Sequence, residues 1–76
     1  MTVSTSTIID HITIAIGRVK TYGQSEAVNY FLSMPQEDRI AFDLFLVKMQ
    51  DPLAYEPGSP QWRFSERVRR MVELSE

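Results

Sequence analysis

Few side chains in this sequence could perform acid–base chemistry, and their spacing does not bring them together. His11 is the only histidine, and its neighbour Asp10 would point about 100° away from it around a helix. A catalytic histidine needs a nucleophile and an orienting acid that converge on it. Nothing in the sequence marks such partners, so we interpret His11 as a solvated or boundary residue.

Carboxylates, cysteines and glycines do not indicate a metal or cofactor site either. Glu37 and Asp38 are adjacent at the expected start of a helix, where the helix dipole favours negative charge, and a calcium loop would need more oxygen ligands. The absence of cysteine excludes disulfides and thiolate zinc sites. The three glycines are isolated, so no phosphate-binding loop is present. We predict no enzymatic activity, no cofactor, no metal and no small-molecule substrate.

The strongest charge feature is a cluster that holds half of all lysines and arginines. Its members are Arg63, Arg67, Arg69 and Arg70. Clustered cations could contact the phosphates of a nucleic acid. Alternatively, they pair within the helix, because Glu66 precedes Arg70 by one helical turn and Arg69 precedes Glu73 in the same way. Since the net charge of the chain is −2, nucleic-acid binding through the last helix is the alternative function, not the first.

Two aromatic residues accompany these arginines. Trp62 falls on the charged face of the predicted last helix, and Tyr55 lies in the loop before it. Tryptophan, tyrosine and arginine dominate the energetics of protein interfaces. Equally, Leu53 and Tyr55 could fold back over Trp62 as a satellite hydrophobic cluster. The predicted partner-binding residues are Tyr55, Trp62, Arg63, Glu66, Arg69 and Arg70.

Composition and length indicate one small globular domain over residues 1–76. The chain is 43% hydrophobic and 24% charged, which is typical of a folded domain rather than a disordered one. No apolar run approaches the roughly 20 residues that span a bilayer, and the N-terminus lacks the pattern of a signal peptide. We expect a cytoplasmic protein that does not contact membranes.

The segment 35–50, PQEDRIAFDLFLVKMQ, is apolar on nearly every side. A helix of this kind has to be covered by other elements, so we predict that it is the central helix of the fold. The junction before it, at Met34 and Pro35, outlines a helix-turn-helix, but a DNA-reading helix would expose polar side chains and not this apolar surface.

Three further helices are predicted, which gives an all-α bundle or orthogonal array of four helices at 8–22, 26–33, 35–50 and 60–74. Residues 1–6 are expected to be flexible, with Thr7 and Asp10 forming a capping box, and residues 51–59 form a loop with proline and glycine. The β-branched run 12–16 also alternates like a strand. We predict helix there, because no second strand is available to pair with it.

These observations favour a small regulatory or accessory protein that docks a protein partner through the last helix and the loop before it. The other helices are too few to cover the central helix completely, and a second copy of the chain would complete this coverage as a homodimer. Ile14, an apolar residue on the polar face of the first helix, is the candidate for such a homodimer contact.

Overall fold

The computed structural model describes residues 3–75, which form four α-helices and no β-strand. The helices are α1 (Thr5–Tyr22), α2 (Ser25–Ser33), α3 (Gln36–Lys48) and α4 (Pro60–Ser75), with a 3-10 helix at Pro52–Tyr55 between α3 and α4. The predicted all-α fold is confirmed, and the ambiguous run 12–16 lies inside α1.

Helix α1 begins at Thr5 and not at residue 8, because its cap is Ser4 and not Thr7. The Ser4 hydroxyl accepts a hydrogen bond from the Thr7 N–H at 3.2 Å. Val3, just before the cap, packs against the core, as an apolar residue does in a hydrophobic staple. Residues 1 and 2 of the segment predicted to be flexible lie outside the described residues.

The hydrophobic core lies between α1, α2 and α4, with one side of α3 closing it. These three helices pack chiefly against one another. An aromatic cluster of Phe31, Phe42 and Phe64 fills the centre, with ring centroids 5.0–6.3 Å apart. Each of the three side chains is at most 1% exposed. Helices α2, α3 and α4 therefore each contribute one ring to this cluster, and the contacts between the rings hold the three helices together.

Helix α3 is not covered on all sides, contrary to the prediction from its composition. Only Phe42 and Leu46 are buried along it. Ile40, Leu44 and Val47 are 53%, 64% and 48% exposed. Helices α1, α2 and α4 pack their apolar faces mainly against one another. Too little apolar surface is left to surround α3, which therefore lies at the edge of the bundle. The helix predicted to be central thus exposes an apolar face.

The end of α3 is closed by a Schellman motif whose left-handed residue is not glycine. Gln50 has a φ of 55°. The Gln50 N–H donates to the Val47 carbonyl, and the Asp51 N–H donates to the Leu46 carbonyl, each at 3.0 Å. The helix therefore stops before Asp51 and Pro52, which were expected to end it, and Gln50 bears a backbone conformation that a Cβ disfavours.

We expect Gln50→Gly to raise the free energy of unfolding by about 0.5–1 kcal/mol, because glycine adopts a positive φ without a steric conflict. The gain is limited because glycine also increases the entropy of the unfolded chain. Denaturant unfolding measures the effect. Lys20→Gly, at a helical position of α1, is the control and should lower stability by about 1 kcal/mol. Destabilisation by Gln50→Gly would contradict the assigned conformation.

Candidate functional site

The predicted docking surface on the last helix is partly occupied by the chain itself. Tyr55 is 68% exposed, as a contact residue should be. Trp62, in contrast, is half-buried and lies over Gly58, where an added Cβ would come within 2.8 Å of its ring. Gly58 also has a φ of 146°, which favours glycine. The indole therefore packs on Gly58 in the loop before its own helix, whereas the satellite cluster weighed from the sequence placed Leu53 and Tyr55 over it.

Two of the four clustered arginines bind carboxylates from α3 and the residues after it. The Arg63 guanidinium lies 3.5 Å from the Asp43 carboxylate, and Arg67 pairs with Asp51. All four side chains of these pairs are largely buried, at 15–27% exposure. Burial raises the pKa of Asp43, and the nearby Arg63 opposes that shift. These arginines hold α4 to the end of α3 and are not a free cationic surface.

Arg69 is also paired, but not in the pattern that the sequence predicted. Its guanidinium lies 2.6 Å from both Glu66 and Glu73. Glu66 accepts from two nitrogens of Arg69, so the predicted Glu66–Arg70 pair is wrong, whereas the Arg69–Glu73 pair is confirmed. Hydrogen bonding to Glu66 raises the pKa of Arg69. Arg70 makes no ion pair with any residue in 3–75, so the cluster presents far less positive charge than its composition indicates.

A chain of hydrogen bonds through His11 links three helices, which the sequence did not reveal. The two ring nitrogens lie 2.7 Å from the Tyr30 hydroxyl and 2.7 Å from the Asp38 carboxylate. His11 is a boundary residue, as interpreted, but partners do converge on it. They come from α2 and α3, at sequence separations of 19 and 27 residues, and no local spacing could have marked them.

The hydrogen bonds through His11 are suited to holding α1, α2 and α3 together. Burial raises the pKa of Tyr30, with the Arg18 guanidinium opposing that shift from 5.3 Å over the ring. A raised pKa keeps the hydroxyl protonated, which is the opposite of what an activated nucleophile requires. A tyrosine hydroxyl can donate or accept, so its bond to His11 can persist in either protonation state of the imidazole.

Tyr30→Phe is expected to lower the free energy of unfolding by about 0.5–1.5 kcal/mol, because it removes one half-buried hydrogen bond and leaves the ring in place. Tyr22→Phe is the matched control, since Tyr22 is 73% exposed and its hydroxyl meets solvent. Urea unfolding of both variants gives the comparison. Equal stabilities for the two variants would show that the hydrogen bond to His11 contributes nothing.

Helix α3 exposes three large apolar side chains on one side. Ile40, Leu44 and Val47, here named the α3 stripe, are spaced by four and three residues and therefore share one side of the helix. Beside them lies an open groove of about 460 Å³ between α3 and the start of α1. Its walls include Ile8 of α1 and Val3, which precedes that helix. A contiguous apolar patch of this kind is typical of an interaction site.

Opposite charges lie at the two ends of this groove. Glu37 lines it in the first turn of α3, and Lys48 lines it at the last residue of the helix. The sequence explained Glu37 only through the helix dipole and took Leu44 as part of a covered helix. The spacing of the α3 stripe showed from the sequence that its three residues share one side of a helix. It did not show that this side is exposed, because that depends on how the other helices pack.

Ile14, the residue predicted for self-association, is 48% exposed on α1 and does not line the groove. Among residues 3–75, no three histidine, aspartate or glutamate side chains are placed to hold a metal ion. None of the helices in this part of the chain has the length and hydrophobicity needed to cross a membrane.

Comparison with known proteins gives no relative from which a role could be transferred. No protein-family model, curated protein or solved structure matches the chain.

Proposed function

We propose that this chain is a non-enzymatic interaction protein whose contact surface is the α3 stripe. The observation that carries the proposal is the exposure of Ile40, Leu44 and Val47, at 53%, 64% and 48%, on one side of a single helix. Single exposed apolar residues are ordinary on a protein surface. Three on the same side of one helix, beside an apolar groove, expose a larger apolar area to water, and burial of that area by a partner would be favourable.

The chemistry of this surface fits an amphipathic helix as its partner. Apolar residues spaced by four and three positions are the pattern by which one helix packs against another. The groove between α3 and α1 continues that apolar surface and has polar residues only at its ends, Glu37 and Lys48, and at Thr5. A helix that lies along α3 could bury its own apolar face there and leave its polar face in water.

The surface proposed from the sequence alone has weaker support. Three of its members, Arg63, Glu66 and Arg69, are engaged in ion pairs within the chain, and Trp62 packs on Gly58. Tyr55 remains well exposed, so a secondary contact there stays a prediction. Nucleic-acid binding, the alternative function, loses support for the same reason, because internal carboxylates reduce the positive field that phosphate contacts need.

Capture experiments with matched variants test the proposal. Tagged protein, Leu44→Lys and Leu74→Lys are compared, with either cell extract or an untagged copy of the chain as the source of partners. Leu74 is 86% exposed on α4, so its substitution introduces the same charge away from the α3 stripe. We expect wild type and Leu74→Lys to retain the same partner in stoichiometric amount, and Leu44→Lys to lose it.

A third variant separates the α3 stripe from the surface on the last helix. Trp62→Ala combined with Arg69→Ala removes the aromatic and cationic anchors of the last helix but leaves the α3 stripe intact. We expect this variant to retain the partner. Loss of capture by this variant together with retention by Leu44→Lys would move the contact surface back to the last helix and contradict the proposal, as would identical behaviour of all four proteins.

A further inference from the structure

We propose that the α3 stripe binds a second copy of this chain, with the two α3 helices antiparallel across a two-fold axis. The inference rests on the proposed function and identifies its partner. It is carried by the distribution of charge and apolar side chains on α3 itself, which is complementary to the same surface turned by 180°.

Two-fold symmetry requires that every contact between residues i and j be repeated between j and i. If Ile40 lies beside the partner's Leu44, then Leu44 lies beside the partner's Ile40. The same register brings Val47 level with the partner's Glu37, at the end of the paired region. Ile40 and Leu44 of the two copies then meet in the middle of the interface, where water is excluded, and Val47 covers each end of this apolar centre.

Charge selects this orientation over the parallel one. Glu37 and Lys48 line opposite ends of the groove. In the antiparallel register, Lys48 approaches the partner's Glu37, and the two-fold axis generates a second pair at the other end. A parallel pairing would bring Glu37 next to Glu37 and Lys48 next to Lys48, and like charges at such a distance repel.

Two other helices also expose pairs of apolar residues, Ile9 and Ile14 on α1 and Met71 and Leu74 on α4. Neither pair lines the groove between α3 and the start of α1. Moreover, a domain of 76 residues with no cysteine is of the size that often relies on self-association for stability. A second copy of the chain offers the α3 stripe the same apolar residues, with Glu37 and Lys48 placed to pair in the antiparallel orientation.

The expected dimer is weak. Helix α3 has 13 residues and is therefore roughly 20 Å long. An interface of that length and one helix width falls below the roughly 1,200 Å² that stable complexes bury, so we expect a dissociation constant above about 1 μM. The monomer–dimer equilibrium should accordingly be visible in the concentration range of ordinary solution experiments.

Sedimentation equilibrium over a range of protein concentrations tests the inference. The weight-average mass of the wild type is expected to rise from the monomer towards twice that value, and Leu44→Lys is expected to stay monomeric. Ile14→Lys, on α1, should associate like the wild type. Far-UV circular dichroism of each variant confirms that it is folded at the temperature of the measurement.

A charge exchange tests the antiparallel register. Glu37→Lys and Lys48→Glu should each weaken association at least tenfold, because each places two like charges together at both ends of the interface. The double variant restores both pairs in reversed sense and should associate more tightly than either single variant. Failure of the double variant to recover, with Leu44→Lys still disruptive, would overturn the antiparallel arrangement.

A wild type that remains monomeric at the highest concentration would overturn the second copy as the partner. If Leu44→Lys nevertheless abolishes capture of a different protein, the proposed function stands with another occupant of the α3 stripe. If Leu44→Lys changes neither the mass nor the capture, both the partner and the surface are wrong.

Discussion

Phe64→Ala is expected to lower the free energy of unfolding by about 3–5 kcal/mol, the range found for large aromatic residues in well-packed cores. The Phe64 side chain is completely buried, and its ring lies 5.1 Å from that of Phe31 and 5.0 Å from that of Phe42. Tyr30 stacks on it at 6.2 Å. Removal of the ring leaves a cavity among helices α2, α3 and α4.

Because small domains have a total stability of about 5–15 kcal/mol, this loss should leave a measurable unfolded population at room temperature. Denaturant unfolding at a protein concentration low enough to keep the chain monomeric gives the value. Leu74→Ala is the control on the same helix, and we expect it to change stability by less than about 0.5 kcal/mol. A loss below about 1 kcal/mol for Phe64→Ala would mean that the aromatic cluster is not the centre of the core.

The second large effect is expected from Asp51, the residue that fixes the loop between α3 and α4. One carboxylate oxygen accepts from the Leu53 N–H at 2.9 Å and caps the 3-10 helix, while the other binds Arg67. Leu53 is fully buried behind this cap. Asp51→Ala removes both contacts and leaves Arg67 without its counter-charge, so we expect a loss of about 2–4 kcal/mol in unfolding free energy.

Asp51→Asn separates the two contributions, because its amide oxygen can still cap the 3-10 helix but carries no charge. We expect it to lose about half as much as Asp51→Ala. In a double-mutant cycle with Arg67→Met, the coupling between positions 51 and 67 should be about 1–2 kcal/mol. Additive effects of the two substitutions would show that the ion pair does not stabilise the fold.

Local structure was largely predictable from the sequence because local signals determine it. Ser59 directly before Pro60 is a typical helix cap in sequence, and its hydroxyl accepts from the Trp62 N–H at 3.3 Å. Gly23 is of the residue type that commonly follows a helix, and α1 ends at Tyr22 directly before it. The loop was bounded correctly by its prolines and glycine, although the 3-10 helix within it, where Asp51 caps Leu53, was not foreseen.

Tertiary relations were not predictable, because they depend on which faces meet. The apolar composition of α3 indicated a covered helix, but coverage depends on how many neighbouring faces are free, and that is a property of the whole assembly. Likewise, His11 meets Asp38, and Arg67 meets Asp51, across sequence separations of 27 and 16 residues. Hydrophobic periodicity contains no information on such pairs.

The contact surface proposed from the fold, the α3 stripe, therefore differs from the one predicted from the sequence, which lies on the last helix. A cluster of arginines and aromatics is the stronger signal in a sequence, since these residue types dominate interfaces. In the fold, however, Trp62, Arg63 and Arg67 attach α4 to the rest of the chain, and Arg69 pairs with two carboxylates of its own helix. The α3 stripe is a weaker sequence signal, because exposed and buried apolar residues look alike until the packing is known.

Methyl-labelled protein in the presence of a soluble paramagnetic probe provides the most direct test of the α3 stripe as a covered surface. Relaxation by such a probe reports how closely it approaches each methyl group. At high protein concentration, the methyl groups of Ile40, Leu44 and Val47 are expected to be shielded. The methyl groups of Ile14, Leu32 and Leu74 should show the relaxation enhancement expected from their exposure in the single chain, because these residues are 48%, 52% and 86% exposed and lie outside the proposed interface. Relaxation of all six residues in proportion to their exposure in the single chain would contradict a second copy on α3.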